Sequence, residues 1–413
     1  MDALSIRELR QEAGPQADVF LIHAQLDTLQ QKTTRTNKPY YELKLVDAED
    51  SLVLRAWDNS DAFASCASAQ ARGFYAVEGA FYLNAERNSL DARDFSLKPL
   101  GQEQVEALLA GSGELRLRQA RDYEDIERIV SDIRDPRLRA LAQRFLNQYG
   151  DRMRRTGAAR RNHHARRGGL VEHVAQMMRT AVQICVAYPS LNRDLLVSGV
   201  LFHDIGKLWE NAYAAKGFTM PYTEASELIS HIPVGMEIVN RLWRDLLETP
   251  EATGWQTLEP SSDRVRLHLL HLVASHHGTL EFGSPVVPKT PEAHALHYID
   301  NLDAKLQMMF EAYEKAPELG KNVYEKVWPL PGNLVQPLER VDAEIEPVPF
   351  EPEPVGEELS VEADNVVSFD EAAPKVTPAD DGLPIPEPDF GDDPAPDFES
   401  DESSDGPDDD EPF

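Results

Sequence analysis

The chain has 413 residues and a formal net charge of −31, from 72 acidic and 41 basic side chains, with 12 histidines and two cysteines. Its length points to two or three domains, and two distant cysteines, Cys66 and Cys185, match neither a disulfide framework nor a zinc ribbon, so a reduced cytoplasmic setting is expected and any metal must be held by His and carboxylate. The acidity does not exclude nucleic acid as a partner, because from Pro331 onward 27 Asp and Glu face two bases and everything before carries only −6. The amino terminus lacks the basic and apolar regions of a signal peptide, and no apolar run approaches the ~20 residues of a membrane helix.

Five strands are predicted first: Val19 to Leu29, Tyr40 to Asp47, Ser51 to Trp57, Phe74 to Leu83 and Ser89 to Leu97, rich in β-branched and aromatic residues. A short helix, Asp61 to Ala71, falls between the third and fourth. That order is the order of an all-β OB barrel over residues 1–100, a fold that binds single-stranded nucleic acid on its exposed sheet face. Alternation puts Leu43 and Leu45 on the face opposite Tyr40, and Leu52, Leu54 and Ala56 on the face opposite Val53, Arg55 and Trp57. The loop from Gln30 to Lys38 offers Lys32, Arg35 and Lys38 to a phosphate backbone, beside Tyr40 and Trp57 as stacking rings.

A helical connector is predicted over 101–150, with Pro136 breaking its periodicity. Seven arginines follow between 152 and 167, among them Arg160, Arg161, Arg166 and Arg167 around His163 and His164. A charge run is often a solvated face, but this one leads into the next helix and is placed to guide a polyanion.

That helix opens at Gly168-Gly169 and turns His173 toward its apolar face. After an Asn192 N-cap, Leu195 to Lys207 is an apolar helix that delivers His203-Asp204 and stops at Gly206. His231 stands just before Pro233, His276 and His277 continue an apolar line from Val265, and Asp300 and Asp303 share a face with Leu296 on a helix opened by Pro291. His173, His203, Asp204, His231, His276, His277 and Asp300 thus lie on or beside the inward faces of five helices. So many polar groups in one bundle core are hard to satisfy without metal. Imidazole and carboxylate ligands suit manganese, iron, cobalt, nickel or zinc, and seven of them suggest two ions with Asp204 as bridge and catalytic centre. Lys207, one turn on, is placed to pair with a phosphate oxygen.

The pattern H…HD…H…HH…D resembles the HD-domain metal-dependent phosphohydrolases. HHARRGGLVEH, LNRDLLVSGVLFHDIGK, SHIPVGMEIV and KPYYELKLVDAEDSLVLRAWD resemble more closely the YhaM-type exoribonucleases, over residues 15 to 328. The resemblance implies an all-α HD bundle over 151–328 behind the OB barrel, and manganese-favouring 3′-to-5′ release of nucleotides from single-stranded RNA, sometimes also DNA. It implies that His173, His203, Asp204 and Asp300 hold a first ion, that His231 and His276, with His277 adjacent, serve a second, and that His163 and His164 contact phosphate. Pro233 departs from the pattern. An HD-type nucleotidase or cyclic-nucleotide phosphodiesterase with a regulatory OB domain is the competing enzyme class, and a non-catalytic nucleic-acid binder is the third possibility.

Residues 329–413 hold 15 of the 29 prolines from Pro331 onward and are expected to form a disordered acidic tail, since they cannot bury enough apolar area to offset chain entropy. The ending Asp409, Asp410, Pro412, Phe413 resembles the acidic tip of bacterial single-stranded-DNA-binding proteins. It implies capture of a protein partner through the terminal Phe and carboxylate, or a competitor of substrate for the arginines.

Overall fold

The structure, a computed structural model, describes residues 2–84, 89–160 and 164–338, apart from the side chain of Lys315. The predicted site residues Arg161, His163, Asp409, Asp410, Pro412 and Phe413 lie outside the described residues. Residues Met1–Glu339 form one unit, built from an N-terminal sheet and a helical body.

The sheet follows a short helix, α1 (Ile6–Glu12), and is antiparallel throughout, in the order β3-β2-β1-β4-β5. Its strands are β1 (Asp18–Thr33), β2 (Pro39–Val46), β3 (Ser51–Trp57), β4 (Phe74–Asn84) and β5 (Ser89–Pro99). β1 is long enough to pair twice, its first half with β4 and its second with β2, and an irregularity between Leu26 and Thr28 marks the change of partner. An extra residue at such a point bends the strand and strengthens its twist. β1 therefore runs into the predicted loop as far as Thr33, and β2 begins at Pro39. The predicted alternation holds: Leu43, Leu45, Leu52, Leu54 and Ala56 are buried, while Val53 and Trp57 are about half exposed. Among the described residues no hydrogen-bonded ladder joins β3 to β5. Helix α2 (Asp61–Ala67) crosses between those two strands, and Asp94 on β5 accepts from its Ala62 amide at 3.1 Å.

The helical body consists of α3 (Gln102–Ala110), α4 (Gly113–Ser131), α5 (Pro136–Met153), α6 (Gly169–Ala187), α7 (Arg193–Phe202), α8 (Lys207–Glu210), α9 (Glu224–Ile229), α10 (His231–Leu247), α11 (Ser262–Ser275) and α12 (Pro291–Lys315). The predicted connector is not separate from it. Ile126 and Val130 of α4 and Leu141 and Phe145 of α5 share one core with Val174, Val200, Ile238, Leu272 and Leu296. Pro136 and Pro291 stand in the first turns of α5 and α12 and Pro233 in that of α10, where a missing N–H removes no intrahelical bond. Pro233 thus starts a helix and kinks nothing.

The loop between α8 and α9 joins body to sheet. Gln25 of β1, almost fully buried, accepts from the Phe218 amide at 2.7 Å and donates to the Arg72 carbonyl at 3.0 Å. Around it Val46, Leu115, Tyr213 and Phe218 form a small apolar cluster. No helix among the described residues is long and apolar enough to cross a membrane.

Candidate metal centre

Helix α7 begins on the Asn192 side chain, which accepts from the Leu195 amide, and every residue from Leu195 to Phe202 is buried. It ends one residue before the predicted dyad: His203 is its C-cap and Asp204 lies in the turn before α8. Helix ends supply most of the other histidines too. His231 is the first residue of α10 and His276 the C-cap of α11, while His173 and Asp300 project from within α6 and α12. Gly206 has an ordinary helical φ of −62°, so conformational freedom is not why it is glycine. A Cβ there would stand 1.9 Å from the His231 carbonyl oxygen. Its bare backbone lets the Asp204 turn and the start of α10 touch.

The imidazoles converge on one carboxylate. Asp204 Oδ2 lies 3.1 Å from His203 Nε2 and 3.9 Å from His173 Nε2, while Oδ1 lies 3.5 Å from His231 Nε2 and 3.6 Å from His276 Nε2. Asp300 Oδ1 is 3.3 Å from His173 Nε2. The outward nitrogens are all held. His203 Nδ1 donates to the Val200 carbonyl and His276 Nδ1 to the Val273 carbonyl, both at 2.8 Å. His173 Nδ1 donates to Asp303 at 2.7 Å, His231 Nδ1 to Glu210 at 3.2 Å, and His277 Nδ1 to the Phe282 carbonyl at 2.7 Å.

A carbonyl can only accept, so Nδ1 of His203 and of His276 carries the proton, and in the neutral ring Nε2 turns a lone pair inward. His203 Nε2, His231 Nε2, His276 Nε2 and Asp204 Oδ1 are buried without a hydrogen-bond partner among the described residues. Lone pairs aimed at a buried carboxylate repel it, and a cation between them removes the conflict. Three groups have ligand atoms within 4.8 Å of one another: His173–His203–Asp204, His231–His276–His277 and His164–His173–Asp303.

Charge follows this geometry. Without a metal ion, burial by itself would raise the Asp204 pKa, but positive charge on His203, when that ring is protonated, and on Lys207 outweighs it and holds the carboxyl well below the usual range. Burial would likewise neutralise His173, yet hydrogen bonds to Asp300 and Asp303 raise it to about 10. Burial dominates at His231 and His276, whose values fall, and at His277, pushed down to about 4. Lys207 Nζ donates to Asp204 Oδ2 at 2.7 Å.

The arginine cluster is likewise engaged. Arg160 donates to the carbonyls of Glu210, Met220 and Pro221 and stacks 4.0 Å over Tyr222, and Arg167 donates to those of Ala214, Ala215 and Gly217. Arg166 forks onto Glu172, and His164 is buried against Asp303. Arg160 and Arg167 stitch the α5–α6 segment to the end of α8 and the loop after it, while Arg166 and His164 turn to α6 and α12. On the sheet, Arg35 and Lys38 are exposed, Lys32 is bonded to Glu42, and Tyr40 and Trp57 pair with ring centroids 5.0 Å apart. Trp57 also lines a groove of about 470 Å³ with Arg55 and Tyr82.

Sequence reasoning missed Glu210 and Glu172, and it noted Asp303 only as a neighbour of Asp300. Asp303 had a signal, its place one turn past Asp300. Glu210 had none, because its partner His231 is 21 residues away.

A helical body that brings H, HD, H and D side chains together in this way is an HD domain, and the HD domain family model matches residues 170–305. The chain is 31% identical over 303 residues to the 3′-5′ exoribonuclease YhaM of Bacillus pumilus, covering 73% of this chain and 89% of that protein. It is 29% identical over 304 residues to the proteins of the same name from Bacillus licheniformis and Bacillus velezensis, in each case 74% of this chain and 90% of the relative. The chain belongs to the YhaM exoribonuclease family.

Proposed function

We propose that this protein is a metal-dependent 3′-to-5′ exoribonuclease that hydrolyses single-stranded RNA to nucleotides, with the sheet as its strand-holding surface. The observation that carries the reading is Asp204, buried with one oxygen toward His173 and His203 and the other toward His231 and His276. His173, His203, Asp204 and Asp300 would hold one divalent ion, and His231, His276 and the second oxygen of Asp204 another, with His277 beside them. Nitrogen and oxygen donors without thiolate suit manganese, with iron, cobalt, nickel or zinc as competitors. Bound there, such ions supply the positive charge that polarises a phosphodiester and acidifies water.

The chain's own groups do the positioning. Lys207 fixes the Asp204 carboxylate, Asp303 and Glu210 orient His173 and His231, and carbonyls orient His203 and His276. Hydrogen-bonded outer partners of this kind fix the ring tautomer and raise ligand basicity. The five-stranded sheet with α2 between β3 and β4 has the strand order of an OB fold, and the Tyr40–Trp57 pair offers stacking faces indifferent to base identity. Arg35 and Lys38 lie on the turn between β1 and β2, close in sequence to that pair.

The test uses 5′-labelled RNA and DNA strands with manganese or with chelator. The expected result is a ladder shortening from the 3′ end of RNA with manganese alone, lost in Asp204→Ala while RNA binding persists. Full activity in that variant, or turnover confined to free or cyclic nucleotides, would falsify the assignment.

A further inference from the structure

Just ahead of α6, His164 combines three features that its burial alone does not require. Its backbone is left-handed, at φ 48°, a region that non-glycine residues seldom enter, although histidine, like Asn and Asp, does so more often than most. The strained turn is held from several sides: the His164 carbonyl accepts from the Arg166 amide at 2.9 Å and the Ala158 amide at 3.2 Å, and a Cβ on Gly169 would stand 2.0 Å from it. The turn also aims the ring at the metal centre's outer partner. His164 Nε2 lies 3.2 Å from Asp303 Oδ2, the same oxygen that accepts from His173 Nδ1 at 2.7 Å.

Behind the ring, Glu172 Oε2 lies 3.6 Å from His164 Nδ1. Glu172 is itself clamped by Arg166 and by Gln119 Nε2, which donates at 2.9 Å. The chain Arg166, Glu172, His164, Asp303, His173 therefore leads from the first turn of α6 to a nitrogen facing Asp204 and Asp300. An apolar side chain on the same turn could fill the space, but it could not donate to Asp303. Strain kept at one residue by its surroundings argues for a role of that residue's side chain.

We propose that His164 is a positioning residue for the metal centre, pinning Asp303 so that the Asp303–His173 hydrogen bond aims His173 Nε2 at the ion shared with Asp204 and Asp300. This rests on the metal-centre reading above. Its readout is affinity for the metal and not turnover, since outer partners of metal-ligating histidines change affinity by ~10–100-fold.

The experiment titrates manganese into the full chain, following free ion by electron paramagnetic resonance. His164→Gly keeps the left-handed turn accessible and removes the ring, while His164→Gln keeps a donor near the position of Nε2. The glycine variant is expected to melt cooperatively and to bind the ion at the His173 site ~10–100-fold more weakly, with glutamine recovering most of that loss. In an Asp303→Ala background, removing the ring should change affinity less than about twofold, because the ring acts through Asp303. Wild-type affinity in the glycine variant, no recovery by glutamine, or a full additional loss in the Asp303→Ala background overturns the role given to His164. Failure of the wild-type protein to take up manganese, cobalt or zinc overturns the metal-centre reading itself, and this proposal with it.

Discussion

Gly206→Ala isolates the contact on which the centre's geometry depends. The backbone at 206 is right-handed helical, so alanine meets no conformational penalty there and the whole effect is the added methyl. That Cβ would stand 1.9 Å from the His231 carbonyl oxygen, 2.6 Å from its carbon and 2.8 Å from Cα, where ordinary contact begins near 3.4 Å. The start of α10 must therefore retreat by about 1.5 Å, and it carries His231 away from Asp204 Oδ1, now 3.5 Å distant. Overpacking of this kind costs ~1–3 kcal/mol. For a unit of this size that corresponds to a melting temperature lower by roughly 1–4 °C. A misplacement of ~1 Å at a reacting centre costs ~10²-fold in rate. The assay is nucleotide release at saturating RNA and manganese, with thermal melting measured on the same preparation. Near-wild-type rate and stability in the alanine variant would refute the close approach of the two turns.

Three further outcomes are expected. Trp57→Ala should weaken binding of single-stranded RNA by the ~1–3 kcal/mol of one lost stacking contact, with kcat unchanged at saturation, as fluorescence anisotropy and turnover would show together. Glu210→Gln should loosen the manganese ion at the His231 site by ~10–100-fold and leave the one at the His173 site unaltered, measured by titration. Asp47 supplies a pH signature away from the centre: burial pushes its carboxyl up to about 6, although the amides of Ile6, Glu49 and Asp50 donate to it. A carboxyl raised in the fold binds its proton before the unfolded chain does, so its contribution to stability falls as pH rises from about 4 to 6 and stays low above. Relative to Asp47→Asn, the wild-type protein should therefore gain about 2 kcal/mol on acidification from pH 7 to 4.5. Melting curves of the pair that remain parallel across that range would contradict it.

Much of the sheet was legible because period-two alternation with β-branched residues has few other interpretations, and strands β2 to β5 begin within a residue of where the sequence puts them. The residues of the centre were legible because histidines and aspartates on apolar lines are costly without a purpose. Their placement on helix ends was less so: His203 and His276 are caps, and periodicity does not distinguish a last turn from the residue after it. The arginines show what composition cannot resolve. A guanidinium that clamps three carbonyls and one that clamps a phosphate have the same sequence signature, and the carbonyls that Arg160 and Arg167 meet, at 210–221, are distant in sequence. Gly206 was read as a helix stop, whereas its reason lies in His231, which is distant in sequence. Glu210 and Glu172 depend in the same way on partners that tertiary structure brings up.

The most direct test of the account is anomalous diffraction from a crystal of the protein loaded with manganese. Two anomalous peaks are predicted, one among His173, His203, Asp204 and Asp300 and one among His231, His276 and Asp204, each against a different oxygen of Asp204. A single peak with Asp204 bound through one oxygen, or peaks away from these histidines, would contradict it.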